Sequence, residues 1–171
     1  MADLPDIPRP SHLWKLLSPD RRQQAAEAFW LDENAAVEQA EAMAAIAQRI
    51  KFRIKSVQAL PREKKARHLV SLGHVSEILA ARLLVAYHLR HQRPMMGSFL
   101  DALGIPHENG LIDDGQVPEL SAERLGEAAR TLGASYPQED VALYLSTLVW
   151  QDPDTRGPLV DVPQSRALAR S

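Results

Sequence analysis

Residues 75–90 are apolar almost all the way round a helix: Val75, Ile78, Leu79, Leu83, Leu84, Val85, Tyr87 and Leu89 leave no continuous polar face. A helix of this kind needs neighbours on most of its sides, so the segment predicts a central element with other helices packed around it. Arg82 and His88 interrupt it, and it is well short of the roughly 20 apolar residues that a membrane helix requires. The other periodic segments are helical as well, and no alternating run of strand length with β-branched enrichment accompanies them. The expected fold class is therefore all-α: a compact irregular bundle of six to eight helices around the apolar helix at about 75–90, with one long loop at 105–120.

Punctuation places the helices. Ser18-Pro19-Asp20 reads as an N-cap, a proline at the first helical position and an acid that complements the dipole, opening a helix to about Leu31. Asp32 is placed to cap a longer helix through about Ser56, with Val37, Ala40, Met43, Ala44, Ala47, Ile50 and Ile54 on its inward face. Pro61 begins a helix that Gly73 should close with a left-handed cap. A short helix at 95–103 should end at Gly104, and another, capped by Ser121, at Gly133. Ser135 and Gln138 have capping-box spacing for a helix ending near Val149. Leu-Gly thus closes three helices at 72, 103 and 132, but the flanking residues do not repeat. Trp14, Phe29, Trp30, Tyr87, Phe99, Tyr144 and Trp150 are spaced as core anchors.

With 171 residues the chain can bury a core without staples, and it has no cysteine to make them. That composition excludes disulfides, thiolate metal sites and cysteine nucleophiles, and it suits a reducing compartment. The start, with Asp3, Asp6 and three prolines by residue 10, lacks the basic and apolar regions of a signal peptide. The expectation is a cytoplasmic protein with no membrane partner. It should form a single helical domain over 1–151, with 1–10 as an extended arm, and a loosely docked or disordered tail over 152–171, where prolines and a glycine end the periodicity.

Charge is segregated along the chain. Residues 49–68 hold eight Lys/Arg against Glu63 alone, a net of +7, whereas residues 101–154 hold eleven acids against Arg124 and Arg130, a net of −9. Lys51, Arg53, Lys55, Arg62, Lys64, Lys65 and Arg67 are the candidate residues for binding a partner or an anion. Charge neutralisation would suffice for phosphate, so nucleic-acid binding is one reading, but no stacking platform or nucleic-acid motif accompanies these cations. A solvated basic face, or one that pairs with the acidic 101–154 half within the molecule or in a dimer, is the simpler account. The expected partner is another protein or a homo-oligomer.

A second constellation lies between His88 and Glu108. His88 and His91 are three apart on one helix, Asp101 follows on the next, and His107-Glu108 opens the long loop. Brought together, His88, His91, Asp101, His107 and Glu108 would form a donor set for a divalent zinc, iron or manganese ion. The chain has no HExxH, and Glu77 and His88 stand roughly 16 Å apart along a helix, too far to share an ion. The acids and glycines of the loop match no register of a calcium-binding EF-hand. Arg82, inside the apolar helix, should be structural and should pair with Asp101 or Glu77. No phosphate loop, nucleophile elbow or other complete catalytic motif is present, and no catalytic residue is assigned. The leading expectation is a non-enzymatic interaction or adaptor module using the 49–68 segment, the 105–120 loop or both. The alternative is a metal-binding protein or metal-dependent enzyme.

Overall fold

The computed structural model describes residues 9–112 and 119–165, and among these the chain is all-α, with ten helices and no strand. It divides into two compact units, the first Pro10–Arg90 and the second running from His91 onward. No helix is long and apolar enough to cross a membrane among the described residues.

The first unit contains α1 (Pro10–Leu16), α2 (Pro19–Leu31), α3 (Ala36–Ile50), α4 (Ile54–Gln58), α5 (Arg62–Val70) and α6 (Glu77–His91), whose last residue lies beyond the division. Ser18 caps α2 as its sequence predicts, its hydroxyl accepting from the Arg21 N–H at 3.3 Å. Asp32 does not cap α3. Its carboxylate instead accepts from the Asn34 N–H in a local turn, and α3 starts at Ala36 with no side-chain cap. The far end of α3 departs further from expectation. Rather than continuing to Ser56 it stops at Ile50, where Lys51 takes the left-handed conformation at φ 58°.

The inward face of α3 is only partly the expected one. Ala35, Ala42, Ile46 and Ala47 are buried, whereas Val37 is 81% exposed and Ala40 and Ala44 face solvent. An alanine-rich helix carries apolar side chains on several faces, so spacing alone does not choose among them. Polar anchors choose here. The Gln39 amide donates to the Phe29 and Asp32 carbonyls at 2.8 and 3.0 Å, satisfying the end of α2, while Glu38 and Glu41 reach Arg82 and Ser76. Within α6, Leu79, Leu83, Leu84 and Tyr87 are buried as expected, but Ile78 is 68% exposed. Gly73 has no positive φ and does not form a left-handed cap.

The second unit contains α7 (Arg93–Ala102), α8 (Ala122–Ser135), α9 (Gln138–Gln151), α10 (Pro153–Arg156) and a 3-10 turn (Gly157–Asp161). Its core includes Met95, Phe99 and Leu100 from α7 and Leu103 just after it, Leu125 and Leu132 from α8, and Val141, Tyr144, Leu145 and Leu148 from α9. Phe99 and Tyr144 meet edge to face at 5.7 Å. Helix α9 is buried without a break from Asp140 to Val149, a continuity that its polar residues disguise in sequence. Thr147 satisfies itself by donating to the Leu143 carbonyl at 2.7 Å. Ser121 caps α8 by accepting from the Arg124 N–H, and Gly104 turns the chain after α7 at φ 69°. Gly133 lies inside α8 and does not end it, and α9 begins after Pro137 with no capping box at Ser135. The segment expected to trail from residue 152 contains α10 and the 3-10 turn, with Leu159 fully buried in the core. The expected arm at 1–10, loop at 105–120 and tail at 152–171 lie partly outside the described residues.

Candidate functional site

The basic segment lies in the first unit, and the candidate metal donors lie in the second apart from His88 on α6. In the first unit, α3 ends in a Schellman arrangement: the Phe52 N–H reaches back to the Ala47 carbonyl at 3.0 Å with left-handed Lys51 between them. The chain then runs extended through Arg53, at φ −76° and ψ 150°, and re-enters a helix at Ile54. Residues 51–56 are all exposed, among them Phe52 at 51% and Ile54 at 52%. Two large apolar side chains thus stand among Lys51, Arg53 and Lys55. Helical spacing singles out neither of them, because it runs one helix through this break and turns Ile54 inward. Phe52 and Ile54 set between three cations were the available signal. It was masked by a lysine at a position where glycine usually marks the end of a helix.

The seven candidate cations fall into two sets. Arg67 pairs with Glu63 one turn away on α5, both well exposed, and Lys65 lies over the Trp30 ring at 5.0 Å from its centre. Lys51, Arg53, Lys55, Arg62 and Lys64 are exposed and make no ion pair among the described residues. Arg82 pairs with Glu38 of α3 at 3.5 Å, in place of Asp101 or Glu77, and its side chain is about one-third exposed at 32%. Glu77 instead accepts from the Ser11 hydroxyl.

In the second unit, the described part of the long loop folds as a tight turn on α7. Glu108 and Leu111 exchange both backbone hydrogen bonds, at 2.9 and 3.1 Å, around Asn109 and Gly110, which have φ of 52° and 84°. Two consecutive positive φ values make this a type I′ turn. His107 clamps it. Its Nδ1 accepts from the Gly110 N–H at 3.0 Å, which leaves the proton on Nε2 to be donated to Asp101 on α7 at 2.7 Å. The imidazole lies close over Gly97, where a Cβ would come within 3.1 Å of its Cε1.

Of the five residues proposed to hold a metal, the structure brings Asp101 and His107 into contact. His88 is buried on α6 with its Nδ1 bonded to the Leu84 carbonyl at 2.8 Å. His91 and Glu108 are exposed. No group of three or more His, Asp or Glu among the described residues is placed to hold a metal ion. With both ring nitrogens engaged, His107 offers neither a lone pair to an ion nor a free base, and its arrangement with Asp101 is that of a loop fastener. Clefts of about 320 Å³ beside Gly133 and Gln164 and about 150 Å³ beside Ala28 and Leu89 are lined by none of the predicted site residues.

Compared with protein-family models, curated proteins and solved structures, the chain matches none.

Proposed function

We propose that the chain is a non-enzymatic protein-interaction module whose contact surface is the basic 49–68 segment. The observation that carries this reading is the set of five exposed cations, Lys51, Arg53, Lys55, Arg62 and Lys64, that no carboxylate neutralises among the described residues. Unneutralised charge of one sign on helix ends steers an oppositely charged surface and accelerates its encounter. The 105–120 loop is the weaker candidate, because its described half is spent on fastening itself to α7.

The test is charge reversal with the fold left intact. Lys51→Glu, Lys55→Glu and Lys64→Glu avoid Lys65, whose contact with Trp30 is structural. A partner recovered from lysate by the wild-type protein at low salt and released at high salt should be lost by the triple variant. Recovery of the same partner by the variant would discard this surface.

A further inference from the structure

The basic segment carries one feature that electrostatics alone does not require. Phe52 and Ile54 are half exposed inside the run Lys51-Phe52-Arg53-Ile54-Lys55, and exposing two large apolar side chains at one turn forgoes burial that α3 could have supplied. In a Schellman ending, the residue in Phe52's position commonly packs back on its own helix. Here it stands out. Lys51 adds a second and independent observation. A left-handed φ of 58° is adopted freely by glycine and at a cost by lysine, so the position carries a cation where the fold alone favours none.

We infer that residues 51–55 form a docking knuckle for a short acidic segment of another protein, one that carries apolar side chains among its carboxylates. The inference rests on the interaction-module reading and specifies the partner's chemistry. Three cations within five residues match several carboxylates, and Phe52 and Ile54 bury apolar groups lying between them. The small size of the knuckle selects a linear segment. A stable contact between two globular surfaces engages about 20–30 residues a side, whereas five residues suit a peptide. A second copy of this chain, docking through its folded acidic helices, fits less well for the same reason. An anionic membrane is disfavoured because interfacial anchoring needs a wide apolar helical face, and α4 has only five residues. Single-stranded nucleic acid stacks successive bases on aromatic rings, and Ile54 offers it no such surface.

The test uses the full chain and two labelled peptides of twelve residues, one alternating Glu with Leu and the other alternating Glu with Ser. Binding is read by fluorescence anisotropy at low salt, beside a single-stranded RNA and vesicles of 30% phosphatidylserine in phosphatidylcholine. The Glu/Leu peptide should bind roughly tenfold tighter than the Glu/Ser peptide, the effect of partly burying two apolar side chains. Phe52→Ser with Ile54→Ser should erase that difference and leave Glu/Ser binding unchanged. Lys51→Gly should weaken both peptides about threefold while raising the melting temperature, an opposition that a purely structural residue would not show. Equal affinity for the two peptides overturns the inference and leaves the electrostatic reading in place. Binding of neither peptide overturns both. Tighter binding of RNA or vesicles, or peptide-independent self-association lost in the Phe52/Ile54 variant, assigns the knuckle to a different occupant and overturns the inference as well.

Discussion

Gly110 shows how much of the loop rests on one position. Its φ of 84° lies where side chains are rarely tolerated, and a Cβ there would sit 2.9 Å from the Arg93 carbonyl. Gly110→Ala should therefore destabilise the second unit by roughly 1–3 kcal/mol and expose the turn to proteolysis, both measurable by urea unfolding and limited digestion. His107→Ala removes both the Asp101 contact and the acceptor for Gly110, and should cost about 1–3 kcal/mol without releasing any bound metal detectable by elemental analysis. Tyr144 carries the clearest pH signature. Burial pushes its hydroxyl up to about 12 from the ordinary 10.0, against a smaller opposing pull from Arg156. Because the folded state holds this proton more tightly, its contribution is complete below pH 10 and is lost as pH rises from 10 to 12. The loss is on the order of 2–3 kcal/mol. Tyr144→Phe should flatten the fall in unfolding free energy over that range, as followed by chemical denaturation at pH 9 to 11.5.

At the scale of elements, α3 separates what spacing reveals from what it hides. If Gln39, Ala42 and Ile46 mark its inward face, Ile46→Ala should cost about 2–4 kcal/mol and Val37→Ser under about 0.5 kcal/mol, read as shifts in the unfolding midpoint. The reverse order would restore the face that periodicity suggests. The helical class, the caps at Ser18 and Ser121 and the burial of α6 were legible because side-chain chemistry and spacing pointed the same way. The end of α3 was not. Its stop depends on a lysine in a left-handed conformation, and nothing in the side chain announces that. Capping by Gln39 from another helix is equally silent, because it is a tertiary bond made by a residue common in helix interiors. The basic character of residues 49–68 could be counted directly, while the exposure of Phe52 and Ile54 followed only from the break. Lys51→Gly should stabilise the fold by roughly 0.5 kcal/mol, the relief of left-handed strain less the added freedom of glycine in the unfolded chain.

For the whole molecule, the described residues form two helical units with separate assignments. The second invests Asp101, His107, Asn109 and Gly110 in holding its own loop, so conspicuous sequence there reports architecture. The first leaves six exposed cations, Arg49 among them, without an ion pair among the described residues, and two large apolar side chains exposed, around the ends of α3, α4 and α5. Convergence of His88, His91, Asp101, His107 and Glu108 would have favoured chemistry; the structure joins Asp101 to His107, and no group of three or more His, Asp or Glu among the described residues is placed to hold a metal ion. Binding by residues 49–68 is thus the reading to be tested first. The most direct measurement is the affinity of the Glu/Leu peptide at 50 and 300 mM salt, for the wild-type chain and for the Lys51→Glu, Lys55→Glu, Lys64→Glu variant, each checked for an unchanged helical melting curve. The wild type should lose affinity at least about tenfold over that range and the variant should bind weakly at both salts. Equal affinities for wild type and variant, with the same salt response, would contradict the assignment.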